Sequence, residues 1–261
     1  MRIVTFASGS SGNCSLVSEG KANILIDAGI SMRRTVAALT QLGLTPQDLC
    51  GELITHEHSD HISGLSMLVK HHGLSVFAPK PLCEELSRVK PDIKQNLEYI
   101  PEDDKLGLGG VEISCFRTMH DAAYSVGYRF EGDGILGFAT DTGSINDELI
   151  EGLEGADIAL IEANHDVAML RNGAYPYFLK RRILAPTGHL SNDDSGALAE
   201  YLAKHGTGNI ILGHLSREND TPELALKTVS DAVSVKNVQI SVAPANNMLA
   251  VEAGERLKCS V

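Results

Sequence analysis

The chain has 261 residues, 43% of them hydrophobic and 21% charged, a balance that supports a buried core and excludes a disordered or fibrous polymer. Its 22 Lys and Arg stand against 34 Asp and Glu, a formal charge of −12, so most of the surface should repel polyanions and any nucleic-acid contact must be local. No apolar run approaches the roughly 20 residues of a membrane span, and Met1-Arg2-Ile3-Val4-Thr5-Phe6 lacks the pattern of a secretory signal; the expectation is a cytoplasmic protein without membrane contact.

In chain order, Val-, Ile- and Leu-rich runs predict strands at Ile3–Phe6, Ser15–Val17, Ile24–Asp27, Glu52–Thr55, Val111–Arg117, Ser125–Phe130, Ile135–Thr140, Ile158–Glu162, Ile210–Leu212 and Val238–Ser241. Helical spacing falls at Met32–Leu42, Ile62–His72, Pro81–Val89, Leu190–His205 and Pro222–Val233. So many strands with interleaved helices imply a layered α/β or α+β fold. No Pro/Gly/Ser tract or like-charge run marks a linker, so residues 1–261 read as a single domain. Cys14, Cys50, Cys83, Cys115 and Cys259 are odd in number and show no metal or redox spacing, which argues against structural disulfides.

Gly and polar residues gather where predicted strands end: Asp27-Ala28-Gly29, Thr55-His56-Glu57-His58, Thr140-Asp141-Thr142-Gly143 and Gly213-His214. In open layered sheets this is the edge where distant side chains converge. The segment His56-Glu57-His58-Ser59-Asp60-His61 places His56 and His58 two apart on one side of an extended chain. Asp60 and His61 follow at the start of the next helix. His120, Asp141 and His214 each sit where a strand gives way to a loop. Imidazole and carboxylate without thiolate suit Zn²⁺ or a harder ion such as Mn²⁺.

This pattern, His-x-His-x-Asp-His followed by a lone His, a lone Asp and a final His, resembles the metallo-β-lactamase fold superfamily. The resemblance spans Asp27 to His214 and implies a four-layered αββα sandwich with two divalent metals at one edge, zinc or manganese, with iron or magnesium as further candidates. By that resemblance His56, His58 and His120 hold the first metal, Asp60, His61 and His214 the second, and Asp141 bridges them. Asp27 would accept a hydrogen bond from a ligand histidine; a turn-forming Asp before Gly29 is the competing reading.

The superfamily covers many reactions, so further motifs must discriminate. Ser8-Gly9-Ser10-Ser11-Gly12-Asn13 is a Gly/Ser loop between two strands: Ser8, Ser10, Ser11 and Asn13 could form an anion-binding nest, or simply a tight turn. Ser191 with Asp194 fits a capping box, which puts His189 just outside a helix N-terminus, where it could protonate a leaving oxygen. Glu162 and His189 resemble the proton-delivery pair of metal-dependent phosphodiesterases and RNA-processing nucleases of the superfamily; the bland alternative is a strand-end carboxylate beside a cap. Asn164 and His165 follow Glu162 and are further substrate-contact candidates.

Tyr175-Pro176-Tyr177-Phe178-Leu179-Lys180-Arg181-Arg182 interleaves aromatics with cations. Tyr175, Tyr177 and Phe178 could stack on bases while Lys180, Arg181 and Arg182 neutralise phosphates; an amphipathic helix with solvated cations is the alternative. Together with the Ser8–Cys14, Asn164–Asp166 and Gly188–Asn192 motifs, this segment resembles the YycJ/WalJ branch of the superfamily, which implies a single-domain bacterial nuclease acting on DNA from a 5′ end. The short spans between His120 and Asp141 and between Asp141 and His214 leave no room for the exosite arm of tRNA-processing relatives or the β-CASP insert of RNA-degrading ones.

The resulting expectation is a two-metal phosphodiesterase, a 5′-to-3′ exonuclease on single-stranded or end-exposed DNA. A metal-bridging hydroxide would attack, Asp60 and Asp141 would orient it, and His189 supported by Glu162 would protonate the leaving group. The rivals are the same chemistry on a small cyclic or nucleotide phosphodiester, a thioester hydrolase of the glyoxalase II type, and a non-catalytic metal-binding regulator.

Overall fold

Strands buried on both faces need apolar side chains at every position, and this chain supplies them in two sets. The structure is a computed structural model that describes residues 1–101 and 105–254; Cys259 lies outside them. In chain order the elements are β1 (Arg2–Ala7), β2 (Cys14–Glu19), β3 (Ala22–Ile26), α1 (Met32–Gln41), β4 (Gly51–Leu53), α2 (Ser59–Ile62), α3 (Leu65–His72), β5 (Val76–Pro79), α4 (Lys80–Val89), β6 (Leu97–Ile100), β7 (Leu106–Leu108) and β8 (Val111–Arg117). They continue with β9 (Val126–Glu131), β10 (Ile135–Ala139), α5 (Asp147–Leu153), β11 (Ile158–Glu162), α6 (Val167–Asn172), α7 (Tyr177–Ile183), α8 (Asn192–Lys204), β12 (Asn209–Gly213), α9 (Pro222–Ala232), β13 (Gln239–Val242) and β14 (Leu249–Glu252).

The strands form two seven-stranded sheets, in the orders β14-β1-β2-β3-β4-β5-β6 and β13-β12-β11-β10-β9-β8-β7. Period-two alternation assigns the faces. On β3, Ile24 and Ile26 join the core between the sheets while Leu25 meets α1 on the outside. On β11, Ile158 and Leu160 face inward and Ala159 and Ile161 pack outward with α5, α8 and α9. The layers are therefore α, β, β, α, as the family resemblance implied. Each fully buried Leu, Ile or Phe contributes about 1.5–3 kcal/mol through lost water contact. Among the described residues no helix is long and apolar enough to cross a membrane.

The predicted helix at Ile62–His72 is broken into α2 and α3. Gly64 N donates to Ala28 O at 2.7 Å, and a Cβ at Gly64 would stand 2.0 Å from Ile30 O. The loop after β3 presses so close that the helix yields to it. Strands β5, β6, β7 and β14 and helices α5 and α6 are not anticipated, and α7 is the helix weighed as the alternative for residues 175–182. They are short, and β6, β7 and β14 expose part of their surface, so a strong apolar period is missing.

The parallel strands β3, β4, β10, β11 and β12 and the antiparallel β8 deliver their carboxyl ends to one edge of the sandwich. Two links draw the sheets together there: Tyr128 OH on β9 donates to Ile54 O, and Val126 N donates to Thr55 O at 3.0 Å. The chain leaving β4 is thus held against the second sheet immediately before His56.

Candidate metal centre and active site

Asp27, Asp141 and His214 each follow a strand and each has positive φ, at 61°, 55° and 57°. Non-glycine residues hold that conformation at a cost of order 1–3 kcal/mol, and such strain concentrates at functional sites. Here it turns three side chains back over the sheet edge. His58 caps the N-terminus of α2, which sets Asp60 and His61 in its first turn. His120 follows β8.

Four of the cluster's rings commit one nitrogen to an oxygen. His61 Nδ1 donates to Asp27 Oδ2 at 2.7 Å, His120 Nδ1 to Gly188 O at 3.0 Å, His214 Nδ1 to Glu162 Oε1 at 3.0 Å, and His56 Nδ1 to Thr55 Oγ1 at 3.1 Å. Thr55 Oγ1 in turn meets Asp27 Oδ2 at 2.9 Å. These outer contacts fix the tautomers and turn the opposite nitrogen toward the centre, the usual arrangement around a bound metal; that of His61 also meets Asn13 Nδ2 at 3.0 Å. His58 turns Nδ1 to within 3.3 Å of His120 Nε2.

The free atoms form overlapping groups: His56, His58 and His120; His56, His61 and Asp141; Asp60, His61 and His214. Asp141 Oδ2 lies 3.2 Å from His61 Nε2, and its Oδ1 lies 3.7 Å from His120 Nε2 and 3.5 Å from His214 Nδ1, between the two ends of the cluster. His56 Nε2 and Asp141 Oδ2 are buried without any hydrogen-bond partner. Unpartnered buried lone pairs on neutral imidazole and carboxylate are what a divalent cation satisfies, so the donor set fits a metal.

A fourth geometric group joins Asp141, Glu162, His189 and His214, but Glu162 has no oxygen to spare. Its Oε1 accepts from His189 Nδ1 at 2.7 Å and from His214, and its Oε2 accepts from Thr142 N at 3.0 Å and Leu190 N at 3.2 Å. Burial opposes its charge, yet the charge of His189 and the hydrogen bonds from both histidines hold the carboxyl down at about 2. Burial likewise opposes the His189 cation, and the Glu162 charge and hydrogen bond overcome it and push the imidazole up. Within the cluster, burial works against a charged His61, but Asp27 and Asp141 raise it to about 10, so an ion bound there would displace a proton from this ring. His56, fully buried beside His61, is pushed well down.

A cleft of about 240 Å³ opens over these groups, lined by His58, Asp60, His120, Asp141, His189 and His214 and, further out, by Ser10, Asn164, Tyr175, Arg182 and Ser216. His189 keeps 18% of its side chain exposed, which leaves its second nitrogen toward the cleft. The other expected contacts divide. Asn13 Nδ2 reaches His61 Nε2 at 3.0 Å, while its Oδ1 is held by Gly9 N at 2.8 Å. Ser8 Oγ accepts from His214 N at 2.8 Å, and Ser11 Oγ from Arg217 at 2.8 Å. His165 does not line the cleft; it is buried with both ring nitrogens unpartnered. Lys180 turns inward as well, and its Nζ donates to Arg171 O at 2.8 Å and Gly173 O at 2.7 Å. It closes the end of α6 and is not presented to a ligand. Arg181 stays exposed, 6.0 Å from the Tyr177 ring. The segment 177–183 is a helix with Tyr177 and Phe178 exposed at 76% and 73%, so these aromatics are not core.

Sequence reasoning missed Thr55, the Gly188 carbonyl, Asp121, Ser216 and Arg217. Asp121 accepts a two-pronged ion pair from Arg182. None carries a spacing signal, because each is recruited by chain packing.

Comparison with known proteins agrees with this architecture. The family described as Beta-lactamase superfamily domain matches residues 22–215. The chain is 38% identical over 240 residues to "Exodeoxyribonuclease WalJ" of Streptococcus pneumoniae, covering 90% of this chain and 89% of that one. It is 36% identical over 239 residues to "Exodeoxyribonuclease YycJ" of Bacillus anthracis, covering 91% and 90%. The crystal structure of the metallo-beta-lactamase fold protein YhfI from Bacillus subtilis superposes with a TM-score of 0.69 at 20% identity, over 96% of this chain and 99% of that one. With this fold, and a site whose donors suit a divalent cation, the chain is a metal-dependent hydrolase that belongs to the metallo-β-lactamase superfamily, in its YycJ/WalJ branch.

Proposed function

We propose that the chain is a metal-dependent phosphodiesterase that works as an exonuclease on single-stranded or end-exposed DNA. The observation that carries the reading is the Glu162–His189 pair at 2.7 Å, at the rim of the cleft beside the His/Asp cluster. A phosphodiester needs its leaving oxygen protonated, and an imidazole raised by a buried carboxylate is a suitable acid at neutral pH. The names of the two curated relatives point the same way.

His56, His58 and His120 would hold one divalent ion, Asp60, His61 and His214 a second, with Asp141 facing both. When bound, such ions act as Lewis acids on a phosphoryl oxygen and make water a better nucleophile. The chain's own groups do the rest. Asp60 and Asp141 orient the nucleophile, and His189 delivers the proton while Glu162 keeps its Nδ1–H in place. Tyr175 and Arg182 line the cleft, and Arg181 with Tyr177 and Phe178 extends it outward as a stacking and phosphate-contacting strip.

The test is metal-dependent hydrolysis, in Mn²⁺ and in Zn²⁺, of a 5′-phosphorylated single-stranded DNA oligomer beside bis-p-nitrophenyl phosphate, with Asp141→Ala as control. Progressive shortening of the oligomer that disappears in the control is the expected result. Cleavage of the small ester alone would overturn the exonuclease reading in favour of a small phosphodiester.

A further inference from the structure

Two loops run side by side along the Asp60–His214 wall of the cleft, in register. His214 N donates to Ser8 Oγ at 2.8 Å, Gly9 lies against the Leu215 carbonyl, and Arg217 donates to Ser11 Oγ at 2.8 Å. Between those links lie Ser10 and Ser216, and both line the cleft. The first loop is rigid. Gly12 N closes a turn on Gly9 O at 2.9 Å, Asn13 N donates to Asp60 O at 2.8 Å, and Asn13 Oδ1 accepts from Gly9 N. The wall is therefore fixed to the same helical turn that carries Asp60 and His61.

Ser8 Oγ and Ser216 Oγ are already taken, by His214 N and by Asn219, but Ser10 and Arg217 keep hydrogen-bonding capacity. Among the described residues Ser10 makes no hydrogen bond, and Arg217 has only the neutral Ser11 hydroxyl, with no carboxylate in ion-pair range. Arg182 differs, since Asp121 neutralises it. In a chain of net charge −12, an exposed guanidinium without a carboxylate partner, carried by the residue after the cleft-lining Ser216 and bonded to the residue after the cleft-lining Ser10, suits an anion with several oxygens. The planar fork of Arg matches a phosphate two oxygens at a time.

We infer that Ser10, Ser11 and Arg217 form a phosphate subsite that takes a phosphate neighbouring the scissile one in a polynucleotide strand. The inference rests on the nuclease reading above. The phosphate is either an internal diester or the terminal 5′-monoester, which share the recognising chemistry.

The test uses the full chain loaded with Mn²⁺ and follows initial rates from about 50 to 200 mM salt. The substrates are one single-stranded oligodeoxynucleotide with a 5′-phosphate, the same strand with a 5′-hydroxyl, and bis-p-nitrophenyl phosphate, which has no second phosphate. Arg217→Ala should lower oligonucleotide kcat/KM relative to the small ester by about 10- to 100-fold, mainly through KM, as loss of a charge-assisted contact does. It should also flatten the log–log salt dependence by about 0.7, one phosphate contact on a single strand. Arg217→Lys should restore the salt slope and only part of the affinity, because a point charge replaces the fork. Ser10→Ala should raise KM with the slope unchanged. Loss confined to the 5′-phosphorylated strand assigns the subsite to the terminal monoester, and equal loss on both strands assigns it to an internal diester. If wild type shortens both strands and Arg217→Ala matches its KM and salt slope, the subsite is overturned while the nuclease reading stands. If wild type shortens neither strand, the nuclease reading falls and the subsite with it.

Discussion

His189 and His214 share one carboxylate oxygen: Glu162 Oε1 lies 2.7 Å from His189 Nδ1 and 3.0 Å from His214 Nδ1. One buried charge thus supports two different duties, a proton donor at the cleft and a donor atom of the metal cluster. Because Glu162 Oε2 is held by the Thr142 and Leu190 amides, the carboxylate cannot turn to favour one histidine over the other.

Glu162→Gln and His189→Ala should consequently differ. His189→Ala removes only the acid, and turnover should fall by about 10² to 10⁴ with metal content unchanged. Glu162→Gln withdraws the charge that raises His189, so the protonated form is lost at a lower pH and the alkaline limb of the kcat profile moves down. It also loosens His214, and metal affinity should drop by about 10- to 100-fold. Metal analysis with a pH–rate profile separates the two variants; equal metal content in both would sever the proposed link through His214.

Metal removal should destabilise the fold. His56 Nε2 and Asp141 Oδ2 are buried and unpartnered, so an ion that satisfies them binds the native chain and not the unfolded one. At an ion concentration of a thousand times Kd the gain is about 4 kcal/mol. Thermal melts with chelator and with added Mn²⁺ or Zn²⁺ should differ by several degrees or more. Melting curves that superpose under both conditions would mean that the cluster holds no ion.

The loop behind the subsite depends on Gly12. Its φ is +146°, and a Cβ there would meet Gly29 O at 2.5 Å and Ile30 Cγ2 at 2.9 Å. Gly12→Ala should cost about 3 kcal/mol or more, strain and overlap together, read as a lower midpoint in urea. Gly107→Ala, where a Cβ meets nothing within 4 Å, should stay within about 0.5 kcal/mol of wild type. Equal midpoints for the two variants would show that the Gly12 loop relaxes freely.

Glu52 on β4 is fully buried with both oxygens unpartnered, and burial, reinforced by the Asp27 charge, raises its carboxyl well above the ordinary range. The native state therefore holds this proton more tightly than the unfolded chain. Wild-type stability should fall as pH rises above about 4.3, by up to about 1.4 kcal/mol per unit, until the raised pKa is passed. Glu52→Gln carries no such penalty, so its advantage in Tm over wild type should grow with pH across that window. A pH-independent difference would show that the carboxyl is ionised in the native state throughout.

The sequence alone determined what short-range pattern can encode. The His56–His61 segment is contiguous, so its donors are legible as a string, and His120, Asp141 and His214 stand out because each closes an apolar run. The layered α/β class followed from the same runs, though short edge strands such as β7 and β14 bury too little to leave a trace. Only the tertiary structure decided how the donors are used. Glu162 reaches His214 because β11 and β12 are parallel neighbours whose ends coincide, and Arg217 meets Ser11 because two loops distant in sequence share one wall. Lys180, basic and beside aromatics, looked like a phosphate contact, but the end of α6 offers two carbonyls nearer to hand. Residue type and spacing specify which chemistry a chain can perform; which lone pair, charge or fork remains unspent is settled only when every neighbour in space has taken its hydrogen bond.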